Sequence, residues 1–246
     1  MGADSRMRGP ETSASDEPAS PRWQVAEAIA EAVCRRYAPA VMAVGVHGSL
    51  AHGDDTEHSD VDLVVVTYQD STGPRPGSRR IDGIVVDLGV IGAEEYLAHA
   101  RTLSTSWPLA ADQYLTTTPI HDPTGWHRRL RDVHLARLAE AGGGEFATLA
   151  REAWCEAKSL HDKARRLAEW YDMDGALLML AQARIAAAVV QGLLQRTYFR
   201  GAADAVRRVG LGDADITAVG DRLAVQAEDL ASRNRPVDGT VDDLLA

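Results

Sequence analysis

The sequence predicts an α+β protein: a small mixed β-sheet with flanking helices, followed by an α-helical bundle. Three observations carry this. Short apolar runs at 41–46, 61–67 and 81–91 have strand length and are bounded by Gly, Asp and Pro. The triple glycine Gly142-Gly143-Gly144 then breaks the chain. Beyond it lie two long, nearly proline-free stretches, 145–171 and 174–199, rich in Ala and Leu, which only helices accommodate. The expected organisation is a disordered tail over 1–20, a first domain over 21–141 and a helical bundle domain over 145–246.

Composition sets bounds. The 246 residues, 45% hydrophobic and 25% charged, suffice for a real core in one or two domains. The formal net charge of −10 speaks against a nucleic-acid partner, which is gripped by clustered Lys and Arg. It suits a cationic small substrate, or simply an acidic, soluble surface. Cys34 and Cys155 fall in predicted helices and read as small buried hydrophobes. No apolar run approaches the roughly 20 residues of a membrane span, and no signal-peptide core is seen, so no membrane contact and a cytoplasmic location are expected.

Each element has its local reason. The tail 1–20 is rich in Gly, Pro, Ser and acids and has too little apolar surface to order itself. Ser20-Pro21 reads as a cap followed by proline at the first helical position, and Val25, Ile29, Val33 and Cys34 recur at helical spacing. Residues 48–59 read as a turn with room for one helical turn. The run 61–67 is apolar throughout, as in a strand buried on both faces. Residues 69–80 read as a polar loop. Asp82-Gly83, early in the third strand, suits the tight turn of a hairpin. Residues 93–103 read as a helix, Trp107-Pro108 as the start of a short helix or loop, and 114–120 as a strand that Pro119 confines to an edge. Asp122-Pro123 opens a helix to about Glu140. In the bundle, Leu177, Leu178, Ala181, Ile185, Ala188, Val189 and Leu193 form a broad apolar face, and Trp154, Trp170 and Tyr171 are expected anchors. Gly201 and Gly210 bound a short helix; 213–232 and 237–245 read as further helices.

The chemistry concentrates in 44–66. A strand ends in Gly48-Ser49, a polar loop follows, and a second strand opens with Asp60-Val61-Asp62. Carboxylates at i and i+2 of a strand share a face, and their mutual repulsion is relieved by a divalent cation. Asp87, inside the apolar run Val85-Val86-Asp87-Leu88, reads as a buried acid needing a cation or a basic partner, for which Arg79 and Arg80 are at hand. Taken with the Asp-x-Asp strand, Asp87 becomes a third metal ligand. Oxygen-only donors suit Mg²⁺, which also takes oxygens from phosphates. Gly48 and Ser49 offer a backbone N–H and a hydroxyl to a phosphate.

Gly-Ser, ten residues, then acid–apolar–acid resembles the signature of the nucleotidyltransferase superfamily. A closer resemblance is to the kanamycin nucleotidyltransferase family, the 4′-nucleotidyltransferases of aminoglycosides. It rests on Ser106-Trp107-Pro108-Leu109, Gln113-Tyr114 and Pro119-Ile120-His121-Asp122. It covers about 40–200 and is densest over 44–122. The resemblance implies Mg²⁺ on Asp60, Asp62 and Asp87, a triphosphate held at Gly48 and Ser49, and ATP as the nucleoside triphosphate. It implies transfer of a nucleoside monophosphate to a hydroxyl, with release of pyrophosphate. It implies a glutamate base early in the first long helix, where Glu156 is the first choice and Glu152 the second, or else the two form an ordinary solvated helix face. The family's phosphate-binding lysine stands four residues after the base. Here Leu160 stands there, and Lys158 or Lys163 takes its place. A homodimer with a shared active site is also implied.

Other residues keep two readings. His52 and His58 steady the triphosphate or are exposed loop histidines. Trp107 and Tyr114 stack on a base or pack in the core. Asp54, Asp55 and Glu57 attract a polycation or solvate their loop. Arg75, Arg79 and Arg80 touch phosphate or sit on a flexible loop. The function expected is Mg-dependent nucleotidyl transfer to a small hydroxylated cation of aminoglycoside type. The alternatives are a tRNA or protein acceptor, or an inactive nucleotide-binding module.

Overall fold

The structure, a computed structural model, describes residues 20–245. The expected tail lies outside them apart from Ser20. Helix α1 (Pro21–Tyr37) starts where the sequence placed it, with the Ser20 side chain accepting from the Arg22 N–H. It leads into strand β1 (Val41–His47), the short helix α2 (Gly48–His52) and strand β2 (Val61–Thr67). Next come β3 (Gly77–Ile81), β4 (Ile84–Gly92) and helix α3 (Ala93–Arg101). The short helices α4 (Trp107–Ala110) and α5 (Asp112–Thr116) precede β5 (Thr118–His121) and helix α6 (Trp126–Glu140).

The five strands form one sheet in the order β3-β4-β2-β1-β5. β2 and β4 run parallel and the other pairs antiparallel, so the sheet is mixed. Strand alternation sorts side chains onto two faces. Val61, Leu63 and Val65 of β2 and Val44 and Val46 of β1 pack with Ala26, Ala30 and Val33 of α1. Ala43, Val64 and Val66 face the other way, under Tyr96, Leu97 and Ala100 of α3 and Trp126 and Leu130 of α6. Burial of β2 on both faces follows the sequence reading.

Two segments differ from expectation. The end of the polar loop 69–80 is strand β3, joined to β4 by Asp82-Gly83, both at positive φ (49° and 85°). Its residues are all exposed; an edge strand of Ser and Arg has no apolar pattern to announce it. The expected strand 114–120 is divided between α5 and β5. Tyr114 leaves the strand because its ring packs 5.7 Å from Tyr96 and 4.9 Å from His134, so packing overrides its β-propensity. Pro119 does lie on the edge strand.

The C-terminal helical region comprises α7 (Gly143–Glu169), α8 (Met173–Gln195), α9 (Ala202–Arg208), α10 (Ile216–Ser232) and α11 (Val241–Leu245). Ala150, Ala153 and Ala157 of α7 meet Ala183 and Ala187 of α8 in one core. These small side chains bring the helices close, and dispersion contacts accumulate over their length. Trp154 anchors as expected, its Nε1 donating to the Leu223 carbonyl of α10 at 2.8 Å. Trp170 and Tyr171 do not: they stand exposed at the α7–α8 turn, as do Leu177 and Leu178 at the start of α8. Of the expected face, Ala188, Val189 and Leu193 are buried, Ile185 is half-buried and Ala181 is exposed; Ala176, Leu180 and Ala183 are buried in its early half instead. Cys155 is exposed, not buried, because α7 turns it away from α8. The expectation of no membrane-length apolar run also needs correction. By length and composition α8 would pass as a span, yet half of its apolar window is buried inside the protein, as in a core helix.

Candidate active site

β1 hands the chain to α2 at Gly48, whose φ of +70° lies in the left-handed region. A side chain is disfavoured there on backbone grounds. It is also excluded by space, since a Cβ on Gly48 would run into the Asp62 carboxylate. The turn carrying Gly48-Ser49 is thus packed directly on the first strand acid.

Strand register builds the rest. Asp62 pairs with Asp87 across β2–β4, with His47 across β1–β2, and Asp87 pairs with Ser78 across β3–β4. The sheet therefore carries a polar row, Ser78–Asp87–Asp62–His47, with neighbouring strands about 4.8 Å apart. Alternation puts Asp62 on the same face as Val64 and Val66, above the layer covered by α3 and α6. Asp60 stands just before β2, and its charge is near enough to act on the Asp62 carboxyl.

The three acids differ in exposure. Asp62 is half-buried, while Asp60 and Asp87 are exposed. Burial pushes the Asp62 carboxyl above its ordinary value; His47 opposes that, and Asp60 and Asp87 add to it. The reading of Asp87 as a buried acid is thus corrected: it lies at the open end of the sheet, where its Oδ1 accepts from Ser78 Oγ at 3.0 Å. The alternative of an arginine partner is not realised. Arg79 donates to the Ser78 carbonyl and Arg80 to that of Gly83, both within the hairpin.

These residues suit a divalent ion by donor chemistry: hard carboxylate oxygens on one face of two adjacent strands, with mutual repulsion a cation would remove. They are not drawn into a closed shell. Among the described residues no group of three or more His, Cys, Asp or Glu side chains stands ready to hold an ion, and one Asp87 oxygen is engaged by Ser78.

The loop after Ser49 is less free than its sequence suggests. His52 is not an exposed loop histidine: its Nε2 lies 3.0 Å from both oxygens of Asp112 on α5. His58 is exposed, beside Glu57 at 3.5 Å. Asp54 pairs with Arg200 at 2.6 Å and Asp55 accepts from Ser20 Oγ at 3.0 Å. Two of the three loop acids are thus spent on holding the loop. Trp107 is core, 3% exposed, its Nε1 donating to His134 Nε2 at 3.2 Å. Tyr114 packs on Tyr96, and burial raises its phenol above the ordinary value.

Glu156 lies elsewhere, at a cavity of about 300 Å³ lined also by Ser106, Leu109, Leu160, Gln182 and Ile185. Glu152 lines a different cavity, with Cys155 and the chain from Pro236 to Thr240. Lys158 is engaged by both oxygens of Asp162 at 2.6 Å, and Lys163 is exposed. No hydrogen bond or ion pair joins these four residues to the acid face among the described residues.

Sequence reasoning missed His47, Ser78, the His52–Asp112 pair and Arg200. His47 alone carried a signal, being two residues beyond Gly45 on the strand that delivers Gly48. Ser78 meets Asp87 nine residues on, across the β3–β4 hairpin, whereas the His52–Asp112 pair and Arg200 depend on contacts distant in sequence.

Residues 26–113 match the model of the nucleotidyltransferase domain family, a span that holds β1, α2, β2, β3 and β4 and all three acids. No curated protein matches the chain. Among solved structures, the fold is similar to a nucleotidyltransferase-like protein from Exiguobacterium sibiricum. That likeness has a TM-score of 0.44 and 14% identity, and covers 84% of this chain and 75% of the other.

Proposed function

We propose, from the nucleotidyltransferase domain that spans residues 26–113, that the protein moves a nucleoside monophosphate from a Mg-bound nucleoside triphosphate, ATP in the first instance, to a hydroxyl of an aminoglycoside-type acceptor. The observation that carries this reading is the register pair Asp62–Asp87, with Asp60 just before the strand acting on Asp62 and Gly48 packed against Asp62. Asp60, Asp62 and Asp87 would hold the metal. When bound, a divalent ion offsets the carboxylate charge and that developing on the phosphoryl oxygens. Gly48 and Ser49 bind the triphosphate through a backbone N–H and a hydroxyl. Glu156, with Glu152 as the second choice, accepts the proton of the acceptor hydroxyl. The hydroxyl oxygen bonds to the α-phosphorus as the bond to pyrophosphate breaks.

Among the described residues no hydrogen bond or ion pair joins Glu156 to the acid face, and the cavity it lines holds none of the three acids; a homodimer whose active site is completed by a second copy fits this arrangement. The cavity beside Glu156 is largely apolar, with Ser106 and Gln182 as polar members of its wall, and offers an acceptor one carboxylate. The net charge of −10 suits a cationic acceptor. Of the two lysines, Lys163 is the better phosphate contact, because Lys158 is held by Asp162. Pyrophosphate release with ATP or GTP, Mg²⁺ and a panel of aminoglycosides tests the reading. Asp60→Asn and Asp62→Asn should abolish it with the fold intact; near-normal release from either would remove the metal assignment.

A further inference from the structure

The segment from Gly48 to Asp60 carries the nucleotide half of the proposed site, and it is held from three sides. From α1, Ser20 Oγ donates to Asp55 at 3.0 Å and Arg22 Nε donates to the Ser59 carbonyl at 2.8 Å. From the turn before α9, Arg200 reaches Asp54, a pair with both side chains 52% exposed and therefore screened. From α5, Asp112 receives His52. This third contact differs in kind: the two side chains are 11% and 8% exposed.

Asp112 has no other partner for its carboxylate among the described residues. A buried carboxylate with a single donor is costly to strand. Both oxygens can only accept, so His52 Nε2 carries the hydrogen. α2 is five residues long, too short to hold its own orientation. Ser49 stands three residues before His52, on the adjoining part of the same turn. Any roll of His52 therefore rolls Ser49.

We propose that His52 is a positioning residue: through Asp112 it fixes the roll of α2, so that the Gly48 N–H and Ser49 hydroxyl meet the nucleotide triphosphate. The inference rests on the proposed nucleotidyl transfer and adds a residue to it. His52 itself touches neither substrate nor metal. The pair also ties the phosphate loop to α5, which follows the helix carrying Trp107, so the loop is registered against the core and not only against its own strand.

The test uses the full chain and three variants. His52→Ala strands Asp112 and can fail to fold. The double variant His52→Leu/Asp112→Leu replaces the pair by apolar side chains and keeps the packing. His52→Gln retains one N–H donor. Amide exchange over 48–55, binding of MgATP, and KM for nucleotide and for acceptor are measured on each. The double variant should exchange faster over 48–55 and weaken nucleotide binding about ten-fold or more, with acceptor KM unchanged. His52→Gln should recover most of the loss. A double variant that binds MgATP like the wild type overturns the inference while leaving nucleotidyl transfer standing. A wild type that binds no nucleoside triphosphate overturns both.

Discussion

Asp62→Asn should raise the stability of the metal-free protein while abolishing turnover. Asp62 sits directly opposite Asp87 in the β2–β4 register, with Asp60 beside it and Gly48 closing its remaining side. At a strand spacing of about 4.8 Å, two unit charges repel by about 1–3 kcal/mol for effective dielectrics between those of water and a protein surface. Asp87 is exposed, so solvent screening favours the low end, and His47 offsets part of the repulsion. A net gain near 1 kcal/mol, or about 2–4 °C in Tm for a chain of this size, is expected. The sign agrees with linkage. A carboxyl raised on folding contributes most below its unfolded value, and that contribution is lost as pH rises through the folded value; at neutral pH the charge opposes folding. Magnesium should reverse the order, since an ion at a hundred times its Kd adds about 2.7 kcal/mol to the wild type alone. Thermal melts of both proteins at neutral pH, in EDTA and then in excess Mg²⁺, make the comparison. An Asp62→Asn protein that melts below the wild type in EDTA, or an equal rise in both on adding Mg²⁺, refutes the reasoning.

Three further outcomes are expected. Gly48→Ala must place a side chain at φ +70° against the Asp62 carboxylate; it should cost at least about 1–2 kcal/mol and lower turnover about 100-fold through the displaced loop, read by urea denaturation and pyrophosphate release. Acid should destabilise the protein through His134, fully buried, with Nδ1 donating to the Ala100 carbonyl at 2.7 Å and Nε2 accepting from Trp107. Burial holds its pKa below the ordinary 6.5 despite the Ala100 contact, so its contribution is full above pH 6.5 and is lost as pH falls toward the folded value; a urea midpoint unchanged between pH 7.5 and 5 would contradict this. Glu156→Gln should lower kcat by about 10²–10⁴ with MgATP binding unchanged and Glu152→Gln near wild type; the reverse pattern would move the base to Glu152.

Local signals made much of this protein legible. Ser20-Pro21, the uniformly apolar β2 and the long Ala-rich helices each follow from residues adjacent in the chain. The packing of Gly48 on Asp62, by contrast, comes from the pairing of β1 with β2, which sets His47 opposite Asp62. The misreadings share a different cause. β3 is polar because it is an edge, Tyr114 is helical because of Tyr96 and His134, and Asp87 is exposed because β4 begins at the open end of the sheet. His52 meets a partner sixty positions away, at Asp112. Trp170 and Tyr171 have the composition of core anchors, and only the position of the α7–α8 turn puts them outside.

The central claim is that the acid face and the Gly48-Ser49 turn transfer a nucleotide to a small hydroxylated cation. Its most direct test is mass spectrometry of an aminoglycoside panel after incubation with ATP or GTP and Mg²⁺, with Asp60→Asn in parallel. The claim predicts at least one acceptor that gains a single nucleoside monophosphate with wild type and none with the variant. An unmodified panel in every reaction, from a wild type that still binds MgATP, would contradict the acceptor class; an adduct formed equally by Asp60→Asn would contradict the site.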